Sequence, residues 1–313
     1  MNNLDTISTD IVFVVLHYME KDATMKCVSK IREKIDTPNY KIVIVDNASS
    51  NGSGKEIEEL YKTAEDVNVI INEENLGFAR GNNVGFQFAK ENLNPKYIVL
   101  LNNDVYIMET YLKEKLDKEY EESQFAVLGP LILTKDGKCD ANPMLDGIKN
   151  KIDIINRING IKRVLFTNKY YLFPLYSAVA KWAHNLRKED SKNKNNNNYM
   201  YRQYNVQLHG CFLVFSKKYV DKFSGLDDRT FLYMEEDILY KHMMENELVM
   251  VYNPDIVVYH EEDVSTDSIA VSQRKKIDFV YRNQLHSCEV LLEIYSYYEN
   301  CKNNHRKKEE LNI

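Results

Sequence analysis

The residues best suited to chemistry stand in four short clusters, each close to an apolar run. In Leu100-Leu101-Asn102-Asn103-Asp104-Val105, a carboxylate follows two leucines and two small amides. A carboxylate so placed can bind a hard divalent cation through oxygen, and an Asx turn accounts for the same residues. Val45-Asp46-Asn47-Ala48-Ser49-Ser50-Asn51-Gly52 offers an acid able to accept a hydrogen bond from a base or a ribose; its plainer reading is a turn that caps a helix. Asn75-Leu76-Gly77-Phe78-Ala79-Arg80-Gly81-Asn82-Asn83-Val84-Gly85 sets glycines at a helix start, where backbone can approach a ligand and N–H groups can meet phosphate. The fourth cluster pairs Phe231-Leu232-Tyr233-Met234-Glu235-Glu236-Asp237 with Tyr259-His260. Three consecutive acids either supply a general base or simply favour the dipole of the helix they open.

These clusters need elements to position them. Through residue 135 the pattern alternates strand and helix. Strands are expected at 11–16, 42–45, 67–71, 97–101 and 125–128, with helices at 25–35, at 57–61, 81–90 and 110–121 between them. Such alternation implies right-handed βαβ units and an α/β fold built on a doubly wound, mostly parallel sheet. Ligands then bind at the carboxyl ends of the strands, where the clusters stand. The first strand ends in Leu16-His17-Tyr18 without glycine, so a dinucleotide cofactor is disfavoured. From 142 to 188 the chain reads as irregular, basic and aromatic, and 191–198 (SKNKNNNN) as a polar loop. Strands return at 212–215, 248–252 and 256–259, with helices from Lys217 and from Glu236, and a long helix runs from 273 to 298.

Composition narrows the class. Of 313 residues 44% are apolar and 28% charged, and the formal net charge is −6. That balance lacks the basic footprint of a nucleic-acid binder. No apolar run reaches transmembrane length, and the polar, acidic start shows no secretory signal. Five scattered cysteines without a CxxC pair point to reduced, cytoplasmic thiols.

Taken together, VDNASSNGS (45–53), NEENLGFARGNNVG (72–85), LLNNDV (100–105), the stretch 209–237 from HGCFLVF to MEED and VVYH (257–260) resemble family-two glycosyltransferases of the GT-A fold, notably their bacterial polysaccharide, rhamnosyltransferase-like branch. The resemblance spans about 11–283 except 140–205. It implies a nucleotide-sugar-binding half at 1–135, a variable insert at 136–205, an acceptor-binding and catalytic half at 206–270, and a helical extension with tail at 271–313. By the same resemblance Asp46 meets the uracil or thymine base, while Asn75, Gly77 and Arg80 line the nucleotide and its phosphates. Asn102-Asn103-Asp104 occupies the DxD position, with Asn102 where the family has Asp, so one negative charge fewer faces the diphosphate. Asp104 and His260 become ligands of Mn²⁺ or Mg²⁺, and Gly210, Asp228 and Glu235 lie on the acceptor side. Glu236 falls at the base position, with Asp237 as the alternative one residue away.

The reaction so implied is inverting transfer from a UDP- or dTDP-sugar to a hydroxyl of a glycan or lipid-linked saccharide, with no part for nucleic acid. Rival readings are a non-catalytic nucleotide-sugar-binding module, which Asn102 favours, and a sugar-phosphate nucleotidyltransferase, which would need a Gly- and Lys-rich loop where Leu16 to Ala23 stands. From 147 to 188 nine basic residues face only Asp153, among aromatics that include Trp182, the sole tryptophan. That mixture suits peripheral contact with an anionic membrane; a helical subdomain or a dimer contact accounts for it as well.

Overall fold

Alternating apolar residues of the first strand divide between two faces, and this division builds the molecule. The computed structural model describes residues 9–139, 141–145, 147–177, 197–261 and 272–311. The N-terminal residues 1–8, most of the polar run at 191–198 and Lys181, Trp182, Arg187 and Lys188 lie outside the described residues. In β1 (Thr9–His17), Ile11, Phe13 and Val15 join one buried cluster, Val12 and Val14 another. Period-two burial on both faces is what a central strand of a covered parallel sheet requires.

In chain order the elements are β1, α1 (Lys21–Lys34), β2 (Tyr40–Asp46), α2 (Ser53–Tyr61), β3 (Val67–Ile71), α3 (Gly77–Phe88), β4 (Pro95–Asn102), β5 (Val105–Ile107) and α4 (Leu112–Ser123). They continue as β6 (Val127–Thr134), α5 (Lys151–Lys169), β7 (Gln203–Tyr204), β8 (Phe212–Ser216), α6 (Lys217–Val220), α7 (Glu235–Glu245), β9 (Met250–His260) and α8 (Gln273–Leu311). The sheet order is β3-β2-β1-β4-β8-β6-β9-β5, with β7 on β9. Strands β3, β2, β1 and β4 run parallel, β8 reverses, and β6 and β9 resume the first direction. The expected α/β, doubly wound and mostly parallel sheet is the one observed, with a helical C-terminal extension.

Two expectations are corrected. The stretch read as irregular carries the nineteen-residue helix α5. Its start was marked in the sequence: the Asn150 side chain accepts hydrogen bonds from the N–H groups of Ile152 and Asp153, an N-cap followed by a first-turn acid. Ile154, Ile158 and Ile161 are buried at helical spacing, with β-branched residues and Gly160 obscuring the signal. The two strands expected at 248–252 and 256–259 are one, β9, whose register against β6 shifts between Pro130 and Leu131. A third buried cluster joins α5 to α7 and α8 through Ile154, Ile158, Ile238, Leu291 and Ile294.

Candidate active site

At the turn that ends β4, one backbone group and two side chains reach three different parts of the chain. Asn102 lends its backbone N–H to the carbonyl of Cys211 at 3.0 Å. Asn103 is turned inward, its amide donating to Thr24 Oγ1 at 3.0 Å. Asp104 faces β9, because β5 pairs antiparallel with β9 and sets Val105 opposite His260. Its Oδ1 lies 3.4 Å from His260 Nε2, and both residues are at least nine-tenths buried. Two neighbouring ligands of an octahedral cation, each about 2.1 Å from the metal, are about 3 Å apart, so this pair fits one ion of the Mg²⁺ or Mn²⁺ type. Among the described residues no set of three or more His, Cys, Asp or Glu could hold a metal.

Beneath this turn the carboxyl ends of β1, β2 and β4 are laced by buried polar groups. His17 Nδ1 is 2.7 Å from Thr24 Oγ1, and its Nε2 is 2.9 Å from Ser53 Oγ, which in turn donates to Asn51 Oδ1 at 2.7 Å. A neutral imidazole satisfies the chain if Asn103 donates to Thr24, Thr24 to Nδ1, and Nε2–H to Ser53. Burial pushes the His17 pKa down, consistent with that neutral ring, while the charge of Asp46 opposes the shift. Asp46, expected beside the nucleotide base, is 2% exposed: its carboxylate accepts from the Ser49 N–H at 3.2 Å and lies 3.8 Å from His17 Nε2. Asp46 and Asn103, both expected on the nucleotide side, thus sit in this buried network at the strand ends. The sequence reading missed His17, whose place at a strand end opposite Asp46 was the available signal.

The glycine-bearing segment joins the two halves of the cleft. Gly77 has φ +80°, and a Cβ there would sit 2.2 Å from the Phe231 carbonyl oxygen, which accepts the Phe78 N–H at 2.8 Å. Asn75 Oδ1 accepts from Asn47 Nδ2 and from the Gly77 N–H, each at 2.9 Å. On the next turn Asn83 pairs in both directions with the backbone of Leu226, at 2.7 and 2.8 Å. Arg80 Nε donates to the Asp228 carbonyl at 2.9 Å. The chain from Leu226 to Phe231 is thus held by α3 before it reaches the acids. Gly77→Ala should lower the unfolding free energy by about 2 kcal/mol or more, from left-handed strain and the clash together. Urea denaturation checks this, and an unchanged midpoint would contradict the contact.

Phe231 leads into Tyr233 and Met234, both left-handed at φ 76° and 65°. Two such non-glycine residues in a row store strain that the surrounding contacts must hold; Ser287 Oγ helps by donating to the Leu232 carbonyl at 2.8 Å. The three acids then diverge. Glu235 is buried against Thr230 Oγ1 at 3.3 Å, and burial followed by the charge of Glu236 pushes its pKa up to about 7. Asp237 turns away toward the insert, where its Oδ1 accepts the Ile148 N–H at 3.1 Å, and burial raises its pKa. Glu236 accepts the Gly210 N–H at 3.2 Å. Cys211, one residue past Gly210, holds Asn102, and His209, one residue before it, puts its ring 6.0 Å from that of His260. The tripeptide 209–211 thereby links Glu236 to the Asp104–His260 pair. His209 is a further residue the sequence reading did not single out.

Because the folded pKa of Glu235 lies above its unfolded value of 4.5, its contribution favours folding most below that value and is lost as pH rises toward 7. Glu235→Gln should therefore flatten the fall in stability between those pH values. The loss removed is at most roughly 3 kcal/mol. Denaturant titrations across the window check it, and parallel profiles for both proteins would refute the shift.

A sheet of this order with a helical extension has the architecture of the GT-A fold. The glycosyl transferase family 2 model matches residues 12–215, and the chain belongs to that family. It is 22% identical over 243 residues to the low-salt glycan biosynthesis hexosyltransferase Agl10 of Haloferax volcanii, covering 77% of this chain. The match spans 64% of that relative's length. Solved structures of similar fold include S. aureus TarS 1–349 in complex with UDP, at 13% identity and a TM-score of 0.51, covering 88% of this chain and 71% of that one. GalNAc-T7 with UDP, GalNAc and Mn²⁺ matches at 13% identity and a TM-score of 0.51, covering 82% of this chain and 44% of that one. Among the described residues no helix is long and apolar enough to cross a membrane.

Proposed function

We propose that this glycosyltransferase is metal-dependent and inverting, moving a sugar from a UDP- or dTDP-linked donor to a hydroxyl of a glycan or lipid-linked saccharide at the inner face of the cell membrane. The observation that carries this reading is the 3.4 Å approach of Asp104 to His260, linked through the tripeptide 209–211 to Glu236. Asp104 and His260 would hold a Mn²⁺ or Mg²⁺, which when bound neutralises the departing diphosphate as a Lewis acid. Imidazole in the ligand pair tilts the preference toward Mn²⁺. Asn75, Gly77, Arg80, Asn102 and Asn103 line the nucleotide and its phosphates, and Asp46 meets the nucleotide base.

Glu236 is the base: its carboxylate takes the proton of the acceptor hydroxyl as that oxygen attacks the anomeric carbon. Attack from the side opposite the leaving group inverts the configuration. Glu235, Gly210 and Asp228 bound the acceptor side. TarS and GalNAc-T7, the solved neighbours holding UDP, support the choice of donor class by analogy of fold.

A thermal-shift screen of UDP- and dTDP-sugars with and without Mn²⁺ tests the reading. A rise in melting temperature that needs both nucleotide and metal is expected. Equal shifts without metal would remove the cation. Metal-dependent binding with neither transfer nor slow donor hydrolysis would support the binding-module alternative instead.

A further inference from the structure

Helix α5 is apolar on two sides, and only one of them is buried. The inner side packs on α7 and α8. The outer side exposes Ile152, Ile155, Phe166 and Tyr170 at helical spacing, followed by Tyr171 and Leu175; Ile152 is 68% and Leu175 67% exposed. This surface is held in shape. Arg274 donates to the carbonyls of Asn168 and Lys169 and lies 4.0 Å over the Tyr171 ring. Basic residues flank the apolar stripe, and between 147 and 177 only Asp153 opposes them. A hollow of about 530 Å³ opens among Lys162, Arg163, Phe166 and Tyr176.

We propose that this face docks on an anionic lipid bilayer, the aromatic and aliphatic stripe entering the interface and Lys162 and Arg163 meeting lipid phosphates. The occupant is argued from charge: in a chain of net −6, the stretch 147–177 sets six basic residues against Asp153 alone, of which Lys151 is paired with Glu299 of α8. Two copies of a like-charged face repel, whereas anionic headgroups complement it. The face lies one hydrogen bond from the helix of the base. Ile148, just before α5, donates its N–H to Asp237 of α7 and accepts from the Tyr295 hydroxyl of α8, which ties α5 to the helix that carries Glu236. On the transferase reading above, docking presents a lipid-linked acceptor to Glu236. The surface itself stands without that reading.

The test is co-sedimentation with phosphatidylcholine vesicles, pure or with about one third phosphatidylglycerol, with no nucleotide present. Wild-type protein should partition at least about ten-fold better onto the anionic vesicles, and roughly 0.5 M salt should release most of it. The double variant K162E/R163E should lose about ten-fold in partitioning, and I155S/F166S should lose binding at every salt concentration. Both should keep the wild-type melting temperature and donor hydrolysis in solution. Equal partitioning on both vesicle types, or an unaffected K162E/R163E, overturns the proposal. So does a dimer in sedimentation velocity that I155S/F166S dissociates while no vesicle binding is found. A protein that docks but transfers no sugar sinks the transferase reading and leaves the surface standing.

Discussion

Replacing Glu236 by Gln is expected to lower kcat by about 10²–10⁴-fold while the affinity for UDP stays within two-fold or so of wild type. The amide oxygen can still accept the Gly210 N–H, so the loop keeps its shape and only basicity is lost. Single-turnover transfer and calorimetric titration of UDP read the two effects separately. Near-normal turnover would remove Glu236 as base. Glu235 and Asp237 are poorer candidates by geometry: Glu235 is buried against Thr230 Oγ1, and Asp237 accepts the Ile148 N–H on the side of the insert. Asp237→Asn should accordingly act on the seating of the insert more than on the chemical step.

Asp104→Ala is expected to weaken Mn²⁺-dependent UDP binding by about 10²-fold, the scale of one lost charge-assisted contact. The metal-independent part of the affinity should persist, since on the proposed reading Asn75, Gly77 and Arg80 line the nucleotide and none of them meets the metal. Titrations of UDP with Mn²⁺ and with chelator isolate the difference. Unchanged metal-dependent affinity would rule out Asp104 as a ligand.

Much of the fold was legible because its signals are local. The β-branched runs of β1, β2 and β4 and the helical spacing between them specify buried parallel strands with crossover helices. The sequence also marked the four clusters, since turn residues beyond a buried strand are visible in one dimension. Side-chain direction was not visible. Asn103 and Asp104 are consecutive, yet one side chain turns to Thr24 and the other to His260, because β5 folds back to pair with β9, a tertiary fact. Asp46 shows the same limit: its neighbour in the register is His17, far earlier in the chain, and the two share a buried network. Helix α5 was obscured for another reason. Its β-branched isoleucines and central glycine have weak helix propensity, and packing against α8 supplies what propensity lacks.

The most direct test of the central claim is anomalous diffraction from crystals grown with Mn²⁺ and UDP. A single strong peak is predicted within about 2.3 Å of both Asp104 Oδ1 and His260 Nε2, with the diphosphate on its open side. A peak elsewhere, or bound UDP with His260 directed away from the ion, would contradict the account.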